Sequence, residues 1–356
     1  MFHKKINMEH SQNAAHPSPE SIMQIGMGFW ASKSLLTGVK FQLFTHLAEK
    51  QKLSGPEIKS LLDLKCTDRN VFDFLDTLVT FGFLQREGIL ETAKYSNGVN
   101  TDFFLDKKKP SYLGGILEMS NNRLYKFWDN LENALLTGEP QNEIKNGAKH
   151  PFAELYKSPE KLKEFINAMG GIQLGNFMAF AQKFDFSGYK TLTDAGGAGA
   201  MLSIMVAKHQ PHMQCISFDL PPVEPVAQEN INRFNLSDRI KTASGSFFET
   251  DIPSSDIITM GNILHDWDEE NKLILMKKVY DALPENGAFI VIENIIDDNR
   301  NKNTFGLLMS LNMLIETGHG FDYTFNDFNK WATQTGFRRT AHIPLAGPSS
   351  ACIAYK

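Results

Sequence analysis

Thr191 to Ala195, Gln214 to Phe218, Arg239 to Ala243, Asp256 to Met260 and Ala288 to Glu293 are short strand-like runs, each parted from the next by a helical stretch. Neighbouring strands joined by helical crossovers must run parallel, so these residues predict a doubly wound, mostly parallel α/β sheet with helices on its faces, a Rossmann-like arrangement. After Gly336, Phe337 to Ile343 and Ala351 to Tyr355 read as two further strands with only a loop between them. A loop cannot carry a crossover, so the last strand is expected to run antiparallel.

Open sheets of this type bind ligands beyond the carboxyl ends of their strands. Thr193-Asp194-Ala195-Gly196-Gly197-Ala198-Gly199 falls where the first strand gives way to a helix, and glycine there lets backbone approach a ligand that a Cβ would exclude. Asp219, in Phe218-Asp219-Leu220-Pro221, ends the second strand about twenty residues on, where a carboxylate can accept from both ribose hydroxyls. Loop and acid together imply a nucleoside-type cofactor. From Gly197 the chain reads Gly-Ala-Gly-Ala-Met-Leu, so Leu202 stands where a dinucleotide fingerprint has its third glycine, and NAD is the weaker fit. His265, in Leu264-His265-Asp266-Trp267, lies just past the fourth strand on the ligand-binding face. On local sequence alone, such a histidine is more often part of a capped loop or a satisfied core residue than a catalytic one.

The 356 residues exceed one typical domain, and a 42% hydrophobic content suffices for two cores. Residues 1–20 lack an apolar segment of the secretory kind and are expected to form a disordered tail. Residues 21–110 read as helices followed by a β-ribbon, in the order of a winged helix. Leu35, Leu36, Val39, Phe41, Leu43, Phe44 and Leu47 mark one buried helix. Ser54-Gly55-Pro56-Glu57 is a capping box, and Gly82 ends a helix before Phe83 to Leu90 turns as a hairpin. The would-be recognition helix carries Asp73 and Asp76 against Arg69, and the net charge is -5, so nucleic acid is not the expected partner. Packing against another subunit is the expected use of this module. Residues 111–185 read as mostly helical, with the polar stretch 138–147 as a loop or linker, and residues 186–356 as the α/β domain. Cys66, Cys215 and Cys352 show no paired or metal-ligand spacing and are expected to be small buried residues. No run is apolar enough to span a membrane, which predicts a soluble, cytoplasmic protein.

From about residue 25 onward the chain resembles the plant-type and hydroxyindole-type small-molecule O-methyltransferases. The family's glycine-rich motif is similar to Asp194-Ala195-Gly196-Gly197-Ala198-Gly199, its ribose acid to Asp219, and its catalytic segment to Leu264-His265-Asp266-Trp267. The resemblance implies S-adenosylmethionine as methyl donor, with S-adenosylhomocysteine as product and no metal. It also implies His265 as general base, a homodimer interlocked through the N-terminal domain, and Glu293 as the acid that steadies His265. The further acid matches Asp322, where plant relatives carry Glu. One methylene shorter, it is expected to reach the histidine only through water. Relatives commonly have Asp near the adenine where this chain has Ser246, ahead of Phe247; Leu220 and Trp267 complete the expected cofactor contacts.

Carboxylate-steadied imidazole is competent chemistry for a phenolic acceptor, since it takes the proton as oxygen attacks an already activated methyl. The expected wall for a flat acceptor comprises Met119, Asn122, Phe127, Phe165, Met169, Ile172, Asn176, Met309, Asn312 and Met313, with Asn312 and Met313 best placed by resemblance. Alternatives within the same fold are N- or C-methylation or a non-methylating reaction. Outside it stand a winged-helix regulator and an NAD-dependent oxidoreductase.

Overall fold

The computed structural model describes residues 17–146 and 158–356. Most of the expected tail lies outside the described residues; its last residue, Glu20, already opens a helix, Glu20–Gly26. The single buried helix expected over residues 35–47 is two, Gly28–Lys40 and Leu43–Lys50. Gln42 breaks them apart in the left-handed region at φ 52°, which lets Leu36 and Val39 on one side and Leu43, Phe44 and Leu47 on the other enter the protein interior together.

The capping box forms as read: Glu57 N donates to Ser54 Oγ and Ser54 N to Glu57 Oε2, opening the helix Gly55–Leu61. Thr67 caps the next helix, Asp68–Thr80, and Gly82 follows it at φ 76°. Strands β1 (Leu53–Ser54), β2 (Leu84–Glu87) and β3 (Lys94–Asn97) make a small antiparallel sheet in the order β1-β3-β2. The hairpin is therefore longer than expected, with a 3-10 turn at Leu90–Thr92 between its arms. Asp76 on the would-be recognition helix accepts from Tyr95 Oη and pairs with Arg86, tying the hairpin to the helix.

The large sheet holds β4 (Thr191–Ala195), β5 (Gln214–Asp219), β6 (Ile240–Ser244), β7 (Ile257–Gly261), β8 (Ala288–Glu293), β9 (Arg339–Pro344) and β10 (Ser350–Tyr355). Its order is β6-β5-β4-β7-β8-β10-β9. Strands β4 to β8 pair in parallel, and β10 inserts between β8 and β9, antiparallel to both, as the short connection requires. Side chains alternate across the sheet. Along β8, Ala288, Ile290 and Ile292 pack with Phe180 and Ile204 on one face, while Phe289 and Val291 pack with Leu275 and Trp331 on the other.

The expectation for the cysteines needs correction. Cys215 and Cys352 are buried, but Cys66 is exposed, because it sits in the bend just before Thr67 rather than in an element. The polar stretch 138–147, as far as it is described, is a loop ending in a 3-10 turn, Glu143–Asn146, and it is anchored. Gln141 and Asn142 are buried, with Asn142 Nδ2 donating to the Glu316 carbonyl at 2.7 Å and Gln141 N to the Ile315 carbonyl at 2.8 Å. Arg123 forks onto Glu143 at 2.7 and 2.8 Å and reaches Glu316 at 3.3 Å, so paired polar groups anchor the segment where apolar ones are lacking.

Candidate active site

The strand order reverses at β4, with β5 on one side and β7 on the other, and the loops that follow these strands converge there. Beyond β4 the chain turns through Gly196 at φ 77° and Ala198 at φ 45°. A Cβ on Gly196 would lie 2.4 Å from Ile263 Cδ1, and one on Gly197 2.4 Å from Ser217 Oγ, so the turn closes against its neighbours only because both are glycine. Gly199 serves helix packing instead: a Cβ there would meet Asn230 Nδ2 at 2.9 Å and Ile166 at 3.0 Å. Asp194 is buried beneath the turn, accepting from Thr259 Oγ1 at 2.8 Å, and burial pushes its pKa up to about 7.

Asp219 ends β5 and accepts from Ala198 N at 2.8 Å and Leu220 N at 2.7 Å. Burial raises its pKa, and those two N–H groups pull it back. An ionised carboxylate has about four acceptor positions, so the group stays free to take further donors. Leu220 packs with Ala198 and Phe165. After β6, Ser246 Oγ accepts from Phe248 N, and the rings of Phe247 and Phe248 meet Trp267 edge-on at 6.4 and 4.6 Å between centroids. Trp267 Nε1 is buried with no hydrogen-bond partner among the described residues.

His265 sits in a 3-10 turn, Leu264–Asp266, directly beyond β7. The turn forms where Glu293, the last residue of β8, offers one carboxylate oxygen to three successive backbone donors: Ile263 N at 3.0 Å, Leu264 N at 2.8 Å and His265 N at 3.3 Å. These are the orphan donors that open any helical turn, and a buried anion is their natural acceptor. Glu293 thus holds the backbone that carries the histidine.

The acid facing the ring is Asp322, whose Oδ1 lies 3.4 Å from His265 Nδ1. It comes within ion-pair distance, nearer than the water-mediated contact expected, because its segment closes on the turn, although neither His265 Nδ1 nor Asp322 Oδ1 has a hydrogen-bond partner among the described residues. Ile296 N donates to the Tyr323 carbonyl, drawing residues 321–324 alongside the end of β8, and Gly320 touches the turn so closely that a Cβ would fall 2.6 Å from the carbonyl oxygens of both His265 and Asp266. The missing methylene is made up by backbone approach. Asp266 Oδ1 stands 3.5 Å from the other ring nitrogen, Nε2. Burial depresses the imidazole pKa, but the charges of Asp322, Asp266 and Glu293 outweigh it and lift the ring to about 10. Burial also raises Glu293 and pushes Asp266 up to about 6, with the imidazole opposing.

The O-methyltransferase domain model matches residues 128–338. The tetracenomycin polyketide synthesis 8-O-methyl transferase of Streptomyces glaucescens is 33% identical over 338 residues, covering 95% of this chain and 97% of that protein. This chain belongs to the O-methyltransferase family. An N,N-dimethyltransferase of Streptomyces rimosus is 27% identical over 89% of this chain and 90% of its own length. The solved structure of human N-acetylserotonin methyltransferase in complex with SAM superposes with a TM-score of 0.87 at 23% identity, covering 97% of this chain and 99% of that one, and so has the same fold.

Of the expected acceptor wall of this O-methyltransferase, Met119, Met169, Met309 and Asn312 are half-buried and Met313 is buried. Trp128 Nε1 donates to Asn312 Oδ1 at 2.9 Å, fixing that amide. Phe127 is half-buried under the Arg123 guanidinium, whereas Asn122 and Ile172 are exposed. Phe165 lies with Ala198 and Leu220, nearer the glycine turn. The amide of Asn176 is committed to the fold: it donates to Gln173 and Ser349 and accepts from Ala346 N, joining its helix, Pro159–Lys183, to the β9–β10 loop.

Thr259, Gly320 and Lys272 were missed by sequence reasoning. For Lys272 a signal existed: Lys272, Leu275, Met276 and Val279 form one stripe at helical spacing in Glu269–Ala282, and all four are buried.

Proposed function

We propose that this chain transfers the methyl group of S-adenosylmethionine to a hydroxyl of a small aromatic acceptor, with His265 as general base and Asp322 as the acid that holds its ring. Asp219 would take the ribose hydroxyls, the turn at Gly196 and Gly197 would admit the nucleoside close to backbone, and Phe247, Trp267 and Ser246 would flank the adenine. The orphaned Trp267 Nε1 and the open acceptor positions of Asp219 fit such a group. The cofactor supplies a methyl already activated by its sulfonium charge.

The chain's own task is to align the acceptor and to handle one proton. The observation that carries this reading is the buried His265–Asp322 pair beside the glycine turn. An ordinary imidazole near 6.5 would take a proton from a phenol near 10 at a penalty of roughly 5 kcal/mol. Carboxylates that lift the ring to about 10 remove that mismatch. In exchange, few rings are neutral at pH 7, so turnover should rise with pH through the neutral range, and a positive charge placed beside the ring would move the rise to lower pH. The S-adenosylhomocysteine left after transfer carries no such charge. Methyl transfer from labelled cofactor to a panel of phenols and hydroxyquinolines tests the assignment. His265→Ala should lose at least a hundredfold in rate; equal turnover in the two proteins would sink it.

A nitrogen acceptor is the second reading, supported by the N,N-dimethyltransferase among the relatives. A neutral amine attacks through its own lone pair, so His265→Ala would then be well tolerated on amine acceptors.

We further take residues 21–110 as a winged-helix-like dimerisation module, 111–185 as connecting helices and 186–356 as the cofactor domain of a cytoplasmic homodimer. The support lies in Ile22, Ile25, Phe29 and Trp30, each more than half exposed on the first two helices, with Leu135 and Leu136 also exposed. Of the apolar residues read as one buried helix, Leu36, Val39, Leu43, Phe44 and Leu47 are buried within the chain, and Leu35 and Phe41 are half-buried. Elution as a monomer at micromolar concentration would count against the dimer.

A further inference from the structure

Lys272 is completely buried, a rare state for a lysine, and nothing in the proposed reaction uses it. Its Nζ donates to the carbonyl oxygen of Trp267, two residues beyond His265. The same ammonium stands 3.5 Å above the centre of the Phe321 ring and 5.8 Å from those of Tyr323 and Trp331. Phe321 and Tyr323 are the two neighbours of Asp322 in the chain. One cation therefore touches the end of the turn that bears the histidine and the residues on either side of the acid that faces it. Burial pulls its pKa down to about 8, opposed by the charges of Glu293, Asp322, Asp266 and Asp268.

We propose that Lys272 is a positioning residue: its ammonium clasps the His265 turn to the Phe321–Tyr323 segment and so fixes the His265–Asp322 pair. The inference rests on the reading of that pair as the base and its orienting acid. Without Lys272, the Trp267 carbonyl loses its charged donor and the aromatic face its cation. Between the two segments there then remain the Gly320 backbone contact, apolar packing of Leu264 and Trp267 with Phe321 and Tyr323, and the weak 3.4 Å pair. The charge matters as well as the bond. His265 stands among the charges of Asp266, Glu293 and Asp322, and Lys272 is the second cation that acts against those three acids.

Proton NMR of the full-length protein tests this without any acceptor. An imidazole Nδ1–H held against a buried carboxylate gives an exchange-protected resonance far downfield of the amides, assigned by its loss in His265→Ala and in Asp322→Asn. We expect Lys272→Met to lose that resonance, or broaden it beyond detection, while still unfolding cooperatively on heating. Lys272→Arg, which keeps a cationic donor, should retain it. Retention in Lys272→Met would overturn the inference, as would loss in both variants, since the pair would then depend on packing around residue 272 and not on a charged donor. Absence of the resonance from the unsubstituted protein would overturn the reading of the pair itself, and the clasp with it.

Discussion

Asp322→Asn removes one charge and little volume at the point where the imidazole is most perturbed. At 3.4 Å and an effective dielectric near 20, the lost attraction is about 5 kcal/mol. Asp266 at 3.5 Å from the other nitrogen stays in place, and the new amide still offers a neutral oxygen, so the net loss should be about 2–4 kcal/mol. Its pH dependence follows from linkage. The ring is lifted from near 6.5 in the unfolded chain to about 10 in the folded protein, so the stabilisation is complete below pH 6.5 and fades as pH rises through 10. Urea unfolding followed by tryptophan fluorescence, on both proteins at intervals between pH 6 and 10.5, reads the difference directly, and groups that titrate alike in the two cancel. The variant should be less stable by a few kcal/mol at pH 6 to 7, with a deficit that shrinks steadily above pH 8 and an unchanged urea slope. A deficit constant over that range would refute the claim that Asp322 acts through an imidazolium.

Three other outcomes follow from the same geometry. Gly320→Ala should lower thermal stability by about 1–3 kcal/mol, measured by calorimetry, and slow methyl transfer, because its Cβ would press on two carbonyl oxygens of the His265 turn. Glu293→Ala leaves three backbone donors without their acceptor, so hydrogen exchange at Leu264 and His265 should quicken by at least tenfold while exchange in β4 is unchanged. Asp219→Ala should weaken S-adenosylhomocysteine binding in calorimetry by about a hundredfold, the value of two charge-assisted hydrogen bonds, without altering the His265 ring.

The parallel strands, the glycine turn, the acid ending β5 and the histidine beyond β7 are all legible in the chain, because each depends on contacts within a few residues or on the alternation of apolar runs. So are the Ser54–Glu57 capping box and the antiparallel last strand, since a short loop permits no other direction. Lys272 is equally legible, as the one charged residue in the buried stripe of its helix. The division of labour between the two acids was not. Glu293 and Asp322 lie 28 and 57 residues beyond His265, and which of them meets the ring and which the backbone depends on how closely β8 and the 320–324 segment approach one turn. Sequence could supply the side-chain lengths, and from those a shorter acid looked unable to reach. Tertiary packing set the distance, through a glycine that lets backbone touch backbone, and thereby made Asp322 the acid that faces His265.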